Sequence, residues 1–501
     1  MMCFLEKKGK ALFFASFLMT SGASFPLYPQ VQERDSEQKP EAEISVAAAD
    51  SPADSETAGS DGAEQDEPEN IGVKNWLFAG AGVLTSNVTL ALFNRFVRRA
   101  DYAEVNGETI YDNLSNPWVW DQDTFVVNQL GHPYQGSFYF CAGRANGLSF
   151  YQSLACNLLG SVTWEYFCEN ERQAVNDLIC TTFGGAAYGE VLHRLYLEAH
   201  EVHFPLAFIF SPMDALYGLI TRKTQPRTPG DGITELEAFL SLGPVFEREK
   251  LESESTDRNT VVPVNFSGGC SLEYGNPFTC QKNMPYSFFT LDICGGGTKD
   301  YFSVSVRTEG LLHRFLTGYT DNARCMLGIS MLTDTSWKKN TAFAANGLGL
   351  FFRSKAEYES GFSFDVSSDI HWILFGGNDY YKLYSGLITL PDDGVERRLY
   401  DYGTGFYTSC ECGIAQKAFG RLKIKVMLQG MFTFENAVPL YGSDGFALIM
   451  DGGISYDHSV VKHFSLGISG NVYLKYGRYY SDDNVLQMIP SVGLYGTQKF
   501  K

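Results

Sequence analysis

The sequence predicts a mainly β protein, with a transmembrane antiparallel β-barrel in the C-terminal half and an associated small α-helical module. Three observations predict it. Strand-length segments alternate apolar and polar residues, an aromatic closes the last such segment next to the terminus, and the chain of 501 residues is rich in Gly (50), Tyr (28) and Phe (38). Glycine and aromatics at that level suit barrel turns and interfacial girdles.

The opening residues come first in the chain. Lys7, Lys8 and Lys10 precede an apolar run from Ala11 to Met19, and Ser21-Gly22-Ala23-Ser24 follows with small residues. That order predicts a cleaved signal peptide over residues 1–24. The run is too short to span a bilayer, and its only cysteine, Cys3, lies upstream of it, which excludes a lipid-attachment site at the cleavage point.

Residues 25–70 read as an acidic disordered spacer. Between residues 30 and 70 thirteen Asp and Glu stand against Arg34 and Lys39, with almost nothing to bury. The whole chain carries a net charge of −19 and no basic run interleaved with aromatics, so nucleic acid is not an expected partner.

Residues 71–235 form the predicted helical module. Leu148, Tyr151, Leu154, Leu158 and Val162 recur at helical spacing, with Gly147, Ser149, Ser153, Gly160 and Ser161 supplying small residues for close packing. Gly184-Gly185 predicts a break, and Glu190 to Phe204 a second helix. The apolar run Trp76–Val97 is interrupted by Thr85, Ser86, Asn87, Thr89, Asn94 and Arg95, so no helical membrane span is predicted.

Residues 236–284 read as a loop-rich connection and 285–501 as the barrel, with roughly ten to fourteen strands. In the segment from Phe464 to Gly477, Phe464, Leu466, Ile468, Val472, Leu474 and Tyr476 share one face, and Ser465, Ser469, Asn471, Tyr473 and Lys475 the other. Leu422, Ile424, Val426 and Leu428 likewise oppose Lys423, Lys425, Met427 and Gln429, and Phe302, Val304 and Val306 oppose Ser303, Ser305 and Arg307. At the terminus Val492, Leu494, Gly496 and Phe500 read as a closing strand, although Lys501 follows the aromatic.

Signal cleavage would leave ten cysteines. Cys270 and Cys280 bracket a Gly/Asn/Pro loop that a disulfide could close, whereas Cys410 and Cys412 on one strand face read as small lipid- or lumen-facing residues. No cofactor is expected: Gly295-Gly296-Gly297 lacks the flanking residues of a phosphate-binding loop and reads as a turn.

From about Trp120 to Arg194 the chain carries spaced motifs: Asn128, Gly131-His132-Pro133-Tyr134-Gln135-Gly136-Ser137, Tyr139-Phe140, Arg144-x-Asn146-Gly147, Gly160-Ser161-x-x-Trp164-Glu165-Tyr166, Asn176-Asp177-Leu178, Gly184-Gly185 and Gly189-Glu190. Through them the segment resembles the domain of unknown function 3943 of uncharacterised bacterial envelope proteins. The resemblance covers under a third of the chain and implies an envelope protein of diderm bacteria, with a helical motif region followed by a strand-rich barrel.

Three chemistries fit these residues. His132 as general acid or base, with Ser137, Ser149 or Ser161 as nucleophile and Glu165 or Asp177 orienting the imidazole, would make an acyl-transfer or hydrolytic centre acting on an envelope lipid or glycan, though no nucleophile elbow is present. Glu190-x-x-His193, with His200 and His203, would begin a metal site, but a second Glu-x-x-His is missing and no metal is expected. The reading placed first is a buried polar network of Asn128, Arg144, Asn146, Glu165, Glu169, Asp177 and Glu190, with Arg144 paired to Glu165 or Asp177. It would lie in the barrel lumen or at its periplasmic mouth, in an outer-membrane protein with a structural or transport-related role, whose expected partners are membrane lipid, the barrel-insertion machinery and a lipid or glycan ligand.

Overall fold

A computed structural model describes the protein over residues 72–227, 232–246, 248–251, 258–259, 262–281, 283–299, 301–338, 341–379, 398–438, 442–481 and 483–501. The predicted signal peptide and acidic spacer lie outside the described residues.

Twelve antiparallel strands close a barrel. They are β1 (Ile233–Pro244), β4 (Val264–Tyr274), β5 (Phe289–Gly297), β6 (Phe302–Tyr319), β7 (Ala323–Lys338), β8 (Phe343–Glu357), β9 (Phe362–Asp379), β10 (Tyr400–Gln416), β11 (Gly420–Thr433), β12 (Gly445–Val461), β13 (Phe464–Tyr479) and β14 (Val485–Lys499). Short strands β2 (Arg248–Leu251) and β3 (Arg258–Asn259) prolong the sheet beside β14. Closure is made by β1 on β14, from Glu237 opposite Lys499 to Leu242 opposite Leu494. One end of the barrel carries the short turns 320–322, 358–361, 417–419 and 462–463 together with the longer connection 275–288.

Each strand sorts its residues as a membrane barrel requires. Leu466, Ile468, Ile424, Val426, Ile370 and Trp372 stand exposed on the outside, while Lys475, Gln429 and His371 on the alternate positions are buried inside. Inside, Leu332, Phe343, Ala345, Ile373, Tyr407, Met427 and Ile449 form one buried cluster across the lumen. The barrel begins earlier than its alternation suggested. The stretch 236–284, expected as a connection, contributes most of β1 and all of β4. Gly268 and Gly269 interrupt the apolar pattern of β4, and its outward residues Cys270, Leu272 and Tyr274 are covered by protein instead of facing the outside.

Among the described residues eight α-helices precede the barrel: α1 (Val73–Leu92), continued by a π-helical stretch Phe93–Arg98, then α2 (Gly107–Ser115), α3 (His132–Ala145), α4 (Phe150–Phe167), α5 (Val175–Ile179), α6 (Gly185–His200), α7 (Phe204–Phe210) and α8 (Pro212–Thr221). A π-helical stretch Val127–Gly131 runs straight into α3, with Pro133 just after the junction, and Ser149 with Gln152 forms a capping box at the start of α4. Gly184-Gly185 does not break the chain. A π-helical stretch Cys180–Gly184 runs straight into α6, and the glycines serve contact. Gly185 lies against Gly136 so closely that an added Cβ would sit 2.6 Å from the Gly136 Cα, and one at Gly189 would sit 2.7 Å from Phe140.

The module does not enter the lumen. Alternation places Tyr400 and Tyr402 on the same face of β10 as exposed Phe406, which is the outer face, and there they meet Trp120 and Phe125. On the opposite flank α6, through Ala187, Val191 and Leu195, joins one core with outward-facing Leu272, Tyr274, Phe289 and Leu291. The helices therefore lie along the outer wall, which corrects the expectation of a module in the lumen or under the barrel. The inward positions of the strands instead carry buried side chains of the barrel itself.

Gly185→Leu should separate α3 from α6, an overpacking cost of about 1–3 kcal/mol. Protease should then digest the module while the barrel still shows a heat-modifiable band. Gly80→Ala, where an added Cβ meets nothing within 4 Å, is the control that should leave both intact.

Candidate functional site at the helix–barrel seam

The motif residues converge where the amino end of α3 and α5 meet the wall. Asn128 is fully buried, and its amide Nδ2 lies 2.7 Å from the Tyr400 hydroxyl, 2.8 Å from that of Tyr402 and 3.1 Å from Asp121 Oδ1. The Asn176 amide donates to Asp121 Oδ1 at 2.7 Å and to Asp177 Oδ1 at 2.7 Å. Arg398 donates to the Asp121 carbonyl at 3.1 Å and lays its guanidinium 4.5 Å from the centre of the Tyr402 ring. His132 closes the group, with Nε2 3.4 Å from Asp177 Oδ1 and Nδ1 3.2 Å from Thr181 Oγ1.

Ser137 is not brought to His132. Five residues further along a helix points about 140° away, and the Ser137 hydroxyl donates to the Tyr134 carbonyl of its own helix at 2.6 Å. Glu165 is not brought there either. Its Oε2 accepts from the Ala174 backbone N–H at 2.8 Å, and Glu169 accepts from the Trp164 indole at 2.5 Å, so both close the end of α4.

Arg144 pairs with neither Glu165 nor Asp177, contrary to expectation. Its Nε lies 2.8 Å from Glu190 Oε2, while Arg194 Nε approaches Glu190 Oε1 at 2.9 Å. Glu190 is thus a buried carboxylate held between two guanidiniums, one of which also donates to the Pro285 carbonyl at 3.0 Å and so ties α6 to the barrel. Parallel packing of α3 and α6 brings position 190 to 144, a pairing that spacing within one helix does not reveal. Asn146 caps α3 by donating to the Ala142 carbonyl at 2.8 Å.

The Glu-x-x-His reading dissolves in the same geometry. Glu190 is taken by arginines, and His193 Nδ1 lies 2.9 Å from Asp214 Oδ1, whose other oxygen accepts from Ser211. No disulfide joins Cys270 to Cys280. Cys270 belongs to the outer-wall core and Cys280 to a different cluster, while Cys410 and Cys412 share the outward face, their sulfurs 3.9 Å apart.

Sequence reasoning missed the partners supplied by the barrel, Arg398, Tyr400 and Tyr402, and a second network inside the lumen. There Arg307 bridges Glu309 at 2.8 Å and Asp369 at 3.0 Å, and Tyr407 donates to Asp334 at 2.8 Å. His371 Nε2 lies 2.8 Å from Ser330 Oγ, and its Nδ1 3.4 Å from Asp369 Oδ1. Ser330, His371 and Asp369 thus have the order of a serine triad, but Ser330 also donates to Glu309 at 2.9 Å and is buried with the rest. Glu309, Asp369 and His371 are also spaced closely enough to hold a cation, although Arg307 already forms an ion pair with each of the two carboxylates. Charged residues at inward positions of an alternating strand, such as Arg307, were the available signal.

Removing the shared carboxylate should be costly, because two buried guanidiniums lose their counter-ion. Glu190→Gln should destabilise the module by about 3–5 kcal/mol, read as a lower unfolding midpoint of the detergent-solubilised protein; an unchanged midpoint would show that Glu190 is not what holds the two arginines.

Among curated proteins no match is found. Solved structures similar to the barrel include a NanC porin (9% identity, 51% of this chain and 98% of that one, TM-score 0.23), a Pseudomonas aeruginosa FadL homologue (8%, 54% and 91%, 0.22) and the Pseudomonas putida toluene transporter TodX (8%, 53% and 89%, 0.21). The fold rests on the strand pairing above and borrows nothing from these scores. Residues 117–205, the span that holds the seam, match the domain of unknown function DUF3943.

Proposed function

We propose that this protein is an outer-membrane β-barrel closed across its middle, which serves as a membrane platform for the helical module on its wall and not as an open diffusion pore. The observation that carries this reading is the lining of the lumen, where a buried apolar cluster from β7 to β12 and the buried Arg307 ion-pair network occupy inward positions. The apolar outer band supports bilayer lipid as the immediate partner, and the strand β14 that closes on β1 is the element that the barrel-insertion machinery would engage. Four tight turns at one end support a periplasmic position for that end, following the usual asymmetry of such barrels.

The seam fits a structural role within that reading. A polar group taken out of water needs partners, and here each motif residue finds them in another helix or in the wall. The alternative, an envelope lipid- or glycan-modifying enzyme with His132 as general acid or base, lacks support from Ser137; the hydroxyl hydrogen-bonded to the ring is Thr181.

In planar bilayers the purified protein should show no steady conductance; porin-like steps from the wild type would overturn the closed-barrel reading. His132→Ala in the native host should weaken the module yet leave the envelope lipid profile unchanged by mass spectrometry. A lipid species that accumulates or vanishes while the barrel stays folded would favour the enzymatic alternative.

A further inference from the structure

The helix that opens the described chain carries one more step. With its π-helical continuation α1 runs unbroken from Val73 to Arg98, 26 residues long and apolar enough to cross a membrane, and most of it is not buried by protein. At ~1.5 Å per residue it measures roughly 39 Å, longer than a hydrocarbon core of ~30 Å.

One face is committed to the module. Ala79, Val83 and Asn87 are buried at every fourth position, and Gly82 packs on Ala142 of α3. The other face carries Leu77, Leu84, Val88, Leu92, Phe96 and Val97, all exposed. That face is continuous in character with the barrel's outer band, where Ile370 and Trp372 are exposed in the same way.

Three of the polar residues that interrupt the apolar run have hydrogen-bond partners within the protein. Thr85 Oγ1 donates to the Ala81 carbonyl at 2.7 Å and Ser86 Oγ to the Gly82 carbonyl at 3.0 Å, both inside the helix. Asn87 lies at its midpoint and donates to the Gly160 carbonyl at 3.1 Å and to Thr163 Oγ1 at 2.9 Å, while its own oxygen accepts from Tyr139. Satisfying polar groups internally is what a helix in lipid must do. Its charges lie at the ends, Lys74 at one and Arg95, Arg98 and Arg99 at the other, where headgroup phosphates would meet them.

We infer that α1 with its continuation is a transmembrane helix, docked on the barrel-borne module by its small-residue face and covered on its exposed face by the acyl chains of the bilayer. The inference rests on the barrel reading and extends the lipid boundary from the strands to the helices.

The test reconstitutes the full chain in phosphatidylcholine vesicles containing a phosphatidylcholine with a diazirine on its acyl chain, followed by irradiation and mapping of adducts by mass spectrometry. Adducts are expected on Leu77, Leu84 and Val88 to the same extent as on Ile370 and Trp372, and none on Ala79, Val83 or Asn87. Labelling of the strands without α1 overturns the inference and leaves the barrel reading standing; labelling of neither overturns both. Cross-links between copies at an unlabelled α1 would assign the face to a second chain and likewise overturn it. As a second measurement, Leu84→Lys should lower the yield of folded, inserted protein while Leu84→Phe should not, and equal yields from the two would contradict a lipid-facing Leu84.

Discussion

The constraint on which this structure depends is the cost of a polar group that has lost water and found no partner. The closed barrel answers it for the backbone, since every strand has two neighbours once β1 meets β14. Side chains answer it in two separate places. In the lumen Arg307 is surrounded by Glu309, Asp334 and Asp369, and at the seam Glu190 is held by Arg144 and Arg194. Both arrangements set buried charges of opposite sign against one another, and in both, losing one member would strand the others.

The seam also explains why helices can lie on a surface that would otherwise be apolar. The wall under the module keeps the outward alternation of a membrane barrel, but its aromatic residues carry hydroxyls. Tyr400 and Tyr402 lie 2.6 Å apart and meet Asn128 from the module. Trp120 and Phe125 add stacked and edge contacts around them, so one patch joins apolar burial to directional hydrogen bonds. Glycines at the crossing of α3 and α6 bring those helices close enough for Glu190 to reach Arg144.

Much of the barrel was legible because its two faces differ in environment: a strand with lipid on one side and packed polar groups on the other writes a period of two. The legibility failed where that contrast failed. On β4 the outward residues Cys270, Leu272 and Tyr274 meet helices, and the glycines beside them carry no side chain to read. The motif region was legible as helices and as a polar cluster, yet its position was not, because Arg398, Tyr400 and Tyr402 lie some 270 residues from Asp121 and Asn128. Arg144 was assigned the wrong acid for a related reason: Glu165 and Asp177 are nearer in sequence, and only the parallel course of α3 and α6 selects Glu190.

Asn87 and its neighbours in α1 have a consequence for how such a chain reaches its destination. A nascent segment is judged by the inner membrane before its tertiary partners exist, and at that moment Thr85, Ser86 and Asn87 count as exposed polar groups. Their hydrogen bonds with Tyr139, Gly160 and Thr163 form only when α3 and α4 have folded against the helix. If α1 crosses the bilayer, its insertion and the folding of α3 and α4 against it would therefore be coupled, since only the folded module completes the hydrogen bonds of Asn87.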